Sequence, residues 1–194
     1  MGLQIRLAGK VVEEAEVEAR MRHQVSREAG VVDRQIGSQS SEVTDLVGLL
    51  GEIGFSLLFD LPRDKEIRVR SGTPDFIGAD GRLVEVKSTH HRNPHLLIPS
   101  YFIDGKFTTK EPIEVYVLMH VDYQARTVAF LGWCERADII RDDRLEFFRN
   151  ANRKSFVLHC SDLQQLDSIT EGWIVASGRA AGLDVSLTSD VPSV

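Results

Sequence analysis

The sequence predicts an α/β (α+β) domain built on a mixed β-sheet. Two segments with helical periodicity come first, several short runs of strand character follow, and turn-forming residues separate most of those runs. The 194 residues include 42% hydrophobic and 27% charged residues, which is ordinary globular usage. The composition excludes a wholly disordered or fibrous chain, and the length predicts one domain or at most two.

Helical periodicity is confined mainly to the N-terminal third. The predicted helices cover 10–28 and 43–59. Gly30 suits the end of the first helix, Ser40 or Ser41 suits the N-cap of the second, and Pro62 lies beyond its end. The expected organisation is an N-terminal helical extension over 1–40, a main domain over 41–176 and a small, polar C-terminal tail over 177–194.

Short runs with strand character occupy most of the remaining chain. They cover 66–70, 75–78, 83–88, 113–121, 126–133 and 155–160. A charged stretch at 143–152 is expected to be helical, and 161–166 is expected to form a capped helical turn. Three prolines and Gly105 between 89 and 112 argue against one long helix there and predict a hairpin or loop insertion.

The charge distribution limits the classes of partner. The net charge is −6, and the only basic surplus lies in 63–110, with nine basic and six acidic residues. Bulk charge therefore excludes general polyanion binding and leaves a local positive site for nucleic acid. Cys134 and Cys160 form no C-x-x-C pair, so no disulfide framework or thiolate zinc site is indicated. Because the sequence lacks a membrane-spanning apolar run and a secretory h-region, we expect a cytoplasmic protein that does not bind membranes.

The most informative stretch runs from Thr73 to Thr89. Ala79, Asp80 and Gly81 form a suitable three-residue hairpin loop between two strand-like runs. If residue 78 pairs with residue 82, residue 75 lies opposite residue 85. Alternation along the strands then gathers a small set of polar side chains on one face. The set is Asp75, Glu85 and Lys87.

These three side chains suit metal-assisted phosphodiester hydrolysis. Two carboxylates held about 5 Å apart repel each other unless a cation lies between them, and hard oxygen ligands favour Mg²⁺ or Mn²⁺. Lys87 adds a donor that could orient a water molecule or stabilise charge on a phosphate. The structural alternative is a solvent-facing hairpin with a cross-strand salt bridge.

The motif Pro74-Asp75 followed by Glu85-Val86-Lys87 resembles the signature of the PD-(D/E)XK nuclease superfamily. The resemblance implies a restriction-endonuclease-like core, with a central mixed sheet flanked by helices. It also implies that Asp75, Glu85 and the Val86 carbonyl bind Mg²⁺, with Mn²⁺ as a substitute, and that Lys87 positions the attacking water. An acidic residue on the preceding helix often adds a ligand, and Glu52 in the run GLLGEIGF is its counterpart here.

The later part of the chain carries a second resemblance. The segments LMHVDYQARTVAFLGWCERADI and FVLHCSDLQQL are similar to uncharacterised phage and prophage nuclease-like proteins. The two resemblances together cover about 43–170 and imply a bacterial cell or a phage-infected host as the setting. Enzymes that cut both strands of DNA are often two-fold dimers, so a homodimer is one expected state.

Several cationic residues near the motif are candidate substrate contacts. They are Arg68, Arg70, His90, His91 and Arg92. The arginines could contact phosphate or be surface charges of an edge strand, and the histidines could bind metal, act as a base, contact phosphate or be plain loop residues. Glu52 could equally be a polar-face helix residue, although the nearby Gly48, Gly51 and Gly54 suggest close packing or access to a site.

A group of aromatic and basic residues follows the motif. Tyr101, Phe102 and Phe107 are interleaved with Lys106 and Lys110, a pattern that could stack bases or be ordinary buried packing. Trp133 and Trp173 are expected in the core.

The functional expectation is a Mg²⁺-dependent deoxyribonuclease, with RNA as another substrate that the sequence leaves open. A nucleic-acid-binding or assembly module on the same fold, without hydrolysis, is the alternative. A divalent-metal enzyme that acts on a small phosphorylated molecule is a third reading and would require a narrow closed pocket.

Overall fold

The computed structural model describes residues 2–30, 40–69, 73–78, 80–148, 153–165 and the backbone strand at 185–188. The helices are α1 (Gly9–Glu28), α2 (Ser41–Phe59) and α3 (Arg136–Ile139). The strands are β1 (Gly2–Arg6), β2 (Phe76–Ile77), β3 (Leu83–Thr89), β4 (His95–Pro99), β5 (Tyr101–Ile103), β6 (Lys106–Thr108), β7 (Val115–Asp122), β8 (Thr127–Glu135), β9 (Leu145–Phe148), β10 (Arg153–His159) and β11 (Val185–Thr188). Short 3₁₀ turns cover Asp142–Arg144 and Cys160–Asp162.

A six-stranded mixed sheet forms the centre of the fold. Its strand order is β11-β1-β8-β7-β3-β2. Strands β3 and β7 run parallel, whereas the other described neighbours in this sheet are antiparallel. A second sheet has the order β4-β10-β9, and β5 pairs with β6 as a separate hairpin. The mixed α and β architecture predicted from the sequence is therefore confirmed.

The two faces of the central sheet belong to two apolar cores. Along β7, Val117 belongs to the core under α1 and α2, whereas Leu118 belongs to the core that contains Leu96 and Phe156 of the second sheet. Side chains alternate in the same way on β3, where Val86 is buried under the helices. Glu85 and Lys87 consequently lie on the opposite face, toward the second sheet.

The two long helices agree with the helical periodicity. Helix α1 ends one residue before Ala29, and Gly30 follows with φ of 70°, as a glycine in the terminal turn should. Helix α2 is N-capped by Ser40, whose side chain accepts a hydrogen bond from the Val43 amide. It ends at Phe59, three residues before Pro62, because Asp60 takes a left-handed conformation with φ of 51°.

Helix α2 packs unusually close to the sheet at two glycines. A β-carbon added at Gly51 would stand 1.8 Å from Ser88 Oγ, and one at Gly54 would stand 2.4 Å from a methyl carbon of Val128. Gly48, one turn earlier, has open space around it. The close-packing explanation for the glycines around Glu52 thus applies to Gly51, which lies against β3, and to Gly54, which lies against β8.

Two local predictions from the sequence are wrong. Residues 66–69 form no strand, because the Asp64 side chain accepts the Glu66 amide at 2.9 Å and holds the backbone in a local turn. The stretch expected to be helical contains strand β9, since its residues 145–148 pair with β10, and residues 149–152 lie outside the described part. Pairing with a neighbouring strand outweighs local helical propensity here.

Strands β1 and β11 are additions that the sequence analysis did not predict, although apolar and polar residues alternate at 3–7 and at 185–188. Strand β1 lies in the segment interpreted as a helical extension, yet it joins the central sheet beside β8. Strand β11 lies within the segment interpreted as a tail and pairs with β1. The expected turn at 161–166 is a 3₁₀ turn over Cys160–Asp162, after which Gln164 pairs with Trp133, a buried core residue as predicted. Trp173 lies outside the described residues.

The segment between β3 and β7 forms an insertion of strands, as its prolines predict. Strand β4 enters the second sheet, and β5 and β6 form a hairpin. The hairpin loop is Asp104-Gly105, with φ of 50° and 78°, the conformation that an Asp-Gly pair favours in a two-residue turn. None of the helices in the described residues is long and apolar enough to cross a bilayer.

Candidate functional site

The β2–β3 hairpin has the register predicted from its loop. Phe76 pairs with Val84, and the Gly78 amide donates to the Arg82 carbonyl at 2.9 Å. Gly81 takes φ of 85°, which a residue with a side chain would rarely adopt. The loop chemistry therefore fixes which residues of the two strands face each other, and this places Asp75 beside β3.

Asp75 is bound to the backbone of β3. Its amide donates to the Val84 carbonyl at 3.0 Å, and its carboxylate Oδ2 accepts the Val86 amide at 2.9 Å. Peptide groups of residues two apart point to the same side of a strand. The Val86 carbonyl is therefore on the sheet edge where Asp75 lies, which is the arrangement required if both oxygens bind one cation.

Glu85 and Lys87 form an ion pair on β3. Lys87 Nζ lies 2.5 Å from Glu85 Oε1, and the two side chains are 33% and 21% exposed. The pair is thus accessible from solvent at one end while most of each side chain is buried. Burial alone would lower the pKa of Lys87, but Glu85 and Asp75 outweigh it and raise the pKa, so the ammonium stays charged.

Asp75 is the electrostatically strained group of the site. Burial, followed by the negative charges of Glu85 and Glu52, raises its pKa to about 8, although Lys87 and the Val86 amide act in the opposite direction. A carboxyl group with this pKa is ionised only in part at neutral pH. The negative charge of Glu52 thus acts on Asp75 from helix α2, and its role as a metal ligand stays a prediction.

Glu52 is held in place by a partner that the sequence analysis did not identify. Arg22 on α1 donates to the Glu52 carboxylate at 3.0 Å and pairs with Glu18 at 2.7 Å. Arg63 in turn pairs with Glu18 at 2.6 Å. These residues lie 30 or more positions apart along the chain, except for the helical pair Arg22 and Glu18, so no local spacing indicates the network.

Tyr116 is a second residue that the sequence analysis missed. It lies opposite Glu85 on the parallel neighbour β7, is 2% exposed, and has Thr109 within hydrogen-bonding reach of its hydroxyl. Burial raises the pKa of Tyr116, so the phenol stays neutral. The sequence shows only that a tyrosine lies within the strand-like run IEVYVLMHV. The parallel register of β3 and β7 is needed to show that Glu85 is its neighbour.

The candidate substrate contacts are dispersed. Arg68 lies in the irregular segment before β2 and pairs with Asp64 at 2.8 Å and Glu66 at 3.1 Å. Arg70 falls outside the described residues. His90 and His91 follow β3 with ring centroids 4.4 Å apart, and burial together with His91 lowers the pKa of His90. Arg92 is exposed in the same loop. Their roles toward a substrate remain predictions.

The donor set determines which cation would suit the site. Within the described ranges, no group of three or more His, Cys, Asp or Glu side chains is placed to hold a metal. The oxygen donors beside one another are the carboxylates of Asp75 and Glu85, with Glu52 nearby, and the Val86 carbonyl. Hard oxygen donors together with water are typical of Mg²⁺ sites, so the chemistry of the residues fits the predicted ion.

Comparisons with models of known protein families, with curated proteins and with solved structures found no match to this chain.

Proposed function

We propose that the protein is a Mg²⁺-dependent nuclease that hydrolyses DNA phosphodiester bonds, with Mn²⁺ as a substitute, on a restriction-endonuclease-like core. The observation that carries the proposal is the proximity of two carboxylates and one ammonium group, Asp75, Glu85 and Lys87, at an accessible sheet edge. Hydrolysis of a phosphodiester requires both an activated water molecule and compensation of the negative charge that develops on phosphate.

Each residue would have a distinct role. Asp75, Glu85 and the Val86 carbonyl would hold the cation, and Glu52 would contribute directly or through water. The cation would supply Lewis-acid stabilisation of the phosphoryl oxygen. Lys87 would donate a hydrogen bond that orients the attacking water.

The electrostatics support a cation beside Asp75. Its pKa of about 8 reflects burial next to other negative groups, and a bound divalent ion would favour the ionised carboxylate. Lys87 compensates part of this charge already, but it also pairs directly with Glu85. A second positive charge at the site is therefore electrostatically favourable.

An assay of DNA cleavage tests the proposal. Supercoiled plasmid, linear duplex and single-stranded DNA, with an RNA arm, are incubated with the protein in Mg²⁺, Mn²⁺ or EDTA. We expect cleavage with either metal, none in EDTA, and none by a Glu85→Ala, Lys87→Ala double variant whose circular dichroism matches wild type. Wild-type protein that leaves every substrate intact would contradict the nuclease proposal.

A nucleic-acid-binding or assembly module is the second candidate. It is favoured by the ion pairs that Glu52 and Glu85 already make with Arg22 and Lys87, because these compensate the acidic charges without a metal. DNA binding that persists in EDTA, combined with no cleavage in Mg²⁺, would select this alternative.

A further inference from the structure

The β5–β6 hairpin presents an exposed aromatic pair. Phe102 and Phe107 lie directly opposite each other across the two strands, with ring centroids 5.2 Å apart and an angle of 60° between their planes. Phe102 is 67% exposed, the highest value among the exposed large hydrophobic residues of the described chain. Of the two interpretations of these aromatics, buried packing is therefore wrong for Phe102.

Lysines lie on both faces of this hairpin. Lys110 Nζ lies 4.4 Å from the centre of the Tyr101 ring, and Lys154 Nζ lies 4.4 Å from the centre of the Phe107 ring. These distances are typical of cation–π contacts. Lys106 is exposed on the hairpin itself. Because neighbouring residues of a strand alternate between its two faces, Lys106 and the Tyr101–Lys110 contact lie on the opposite face of the hairpin from Phe102 and Phe107. Lys154 is therefore the cation on the aromatic face, and the other two lysines lie across the hairpin from it.

The hairpin is fixed to the rest of the fold at both ends. Before β5, the amide and hydroxyl of Ser100 donate to the Lys154 carbonyl at 3.3 and 2.8 Å. After β6, Thr109 is 7% exposed and lies against Tyr116, the β7 residue opposite Glu85. The Asp-Gly loop adds a defined two-residue turn. The base of the hairpin is thus connected to the wall of the candidate site.

We infer that this hairpin binds unpaired nucleobases of a single-stranded nucleic acid. Phe102 supplies an accessible ring on which a base stacks, and Lys154, on the same face at Phe107, attracts a phosphate that flanks it. Nucleobases stack on an aromatic ring without a sequence requirement, because every base has a π-face. The inference extends the proposed function. It rests on that function in one respect, namely that the strand bound by the hairpin is the nucleic acid that is cut at Glu85 and Lys87.

The combination of groups favours nucleic acid over a purely apolar partner. A protein groove that received Phe102 would also have to desolvate the charge of Lys154 on the same face, which is unfavourable unless that charge is paired. A strand of nucleic acid offers both a ring to stack and phosphates at each step. The aromatic ring and its cation therefore match two parts of one repeating ligand.

Binding measured in EDTA tests the inference separately from cleavage. The probe is fluorescein-labelled oligothymidylate about 15 nucleotides long, compared with an abasic strand of the same length and charge, by fluorescence anisotropy. The variants are Phe102→Ala, Phe102→Trp, and Tyr123→Ala as a matched control, because Tyr123 is an exposed aromatic residue, 44% exposed, in the turn between β7 and β8. We expect Phe102→Ala to weaken binding of oligothymidylate about five-fold or more and to leave abasic binding unchanged.

The remaining variants complete the test. Phe102→Trp should retain affinity for oligothymidylate, and Tyr123→Ala should bind both probes as wild type does. Equal weakening for the two probes, no effect of Phe102→Ala, or no wild-type binding of oligothymidylate would overturn the inference. If the protein binds bases through Phe102 but cleaves no substrate, the binding inference stands and the nuclease proposal is wrong. If it cleaves DNA but Phe102→Ala does not change binding, the nuclease proposal stands and the binding inference is wrong.

Discussion

Lys87 Nζ contacts Glu85 Oε1 at 2.5 Å, although the two residues belong to one strand and are separated by a single residue. Alternation brings their side chains to the same face of β3, and the parallel strand β7 places Tyr116 beside Glu85. The ammonium and carboxylate are therefore already positioned before any ligand binds. Preorganised charge of this kind is effective in stabilising a developing negative charge.

Replacement of Lys87 should remove cleavage with little change in fold. Lys87→Met keeps the length of the side chain but loses the donor, and we expect the rate of DNA cleavage in Mg²⁺ to fall about 100-fold or more. Arg82→Met is the matched control, because Arg82 precedes the same strand and pairs with Asp80 at 2.6 Å at the hairpin loop. A Lys87→Met protein that cleaves as fast as the Arg82→Met protein would contradict the role of Lys87.

Asp75 should make stability depend on pH. Its pKa is about 8 in the folded chain and about 3.9 in an unfolded one, so the folded state holds the proton more tightly. The free energy of unfolding should therefore decrease as pH rises from about 4 through 8. Asp75→Asn removes this pH dependence. In EDTA at pH 9 the variant should be more stable than wild type by on the order of 1 to 3 kcal/mol. This range is smaller than the full pKa shift would give, because Asp75 is only half-buried.

Urea unfolding between pH 5 and pH 9 measures this effect. Asp80→Asn is the control, because Asp80 lies on the same hairpin and pairs with Arg82. Identical pH slopes for Asp75→Asn and wild type would show that the Asp75 carboxyl does not titrate as proposed.

Mg²⁺ should raise the melting temperature of the wild type more at pH 8 than at pH 5, since protons compete with the cation for the carboxylates.

The spacing of α2 from the sheet should be sensitive at Gly51. A methyl group there would overlap Ser88, whose Cβ would lie 2.8 Å away, so Gly51→Ala should lower the free energy of unfolding by about 1 to 3 kcal/mol. Gly48→Ala should instead raise it by up to about 1 kcal/mol, because alanine favours the helix and nothing obstructs it. Urea unfolding of both variants checks the contrast, and Ser88→Gly should restore part of the Gly51→Ala loss. Equal stability of the two alanine variants would contradict the packing.

The sequence predicts those features that depend on near neighbours. The register of the β2–β3 hairpin follows from Gly81 and strand alternation, and the N-cap at Ser40 follows from local capping chemistry. The Asp104-Gly105 turn carries an equally strong signal, but its flanking strands have three residues each, too few to show alternation.

Features that depend on distant parts of the chain could not be predicted in this way. Strand β1 carries an alternation of apolar and polar residues from Leu3 to Leu7, but five residues do not identify its partner β8, which lies more than 100 residues later in the chain. The pairing of Arg22 with Glu52 likewise joins two helices, and either residue alone is an ordinary charge on a helix face. The nearness of Asp75 to Glu85 was predictable because one short hairpin holds both residues. The position of Tyr116 beside Glu85 was not, because it depends on the parallel pairing of β3 with β7.

The buried Arg22–Glu52 ion pair should contribute more to the free energy of unfolding than an exposed ion pair does. The two side chains are 15% and 14% exposed, and Arg22→Met would remove the arginine that pairs with Glu52, whereas Glu18 would keep its pair with Arg63. We expect a loss of about 3 kcal/mol in the free energy of unfolding, with partial recovery in an Arg22→Met, Glu52→Gln double variant, because the uncompensated charge is then removed.

Lys10→Met is the control for this cycle, since its i,i+4 pair with Glu14 on the same helix has exposures of 86% and 68% and should contribute well under about 1 kcal/mol. Urea unfolding of the four proteins of the Arg22–Glu52 cycle gives the coupling energy directly. If Arg22→Met proved no more destabilising than Lys10→Met, Glu52 would not depend on Arg22 for its charge compensation.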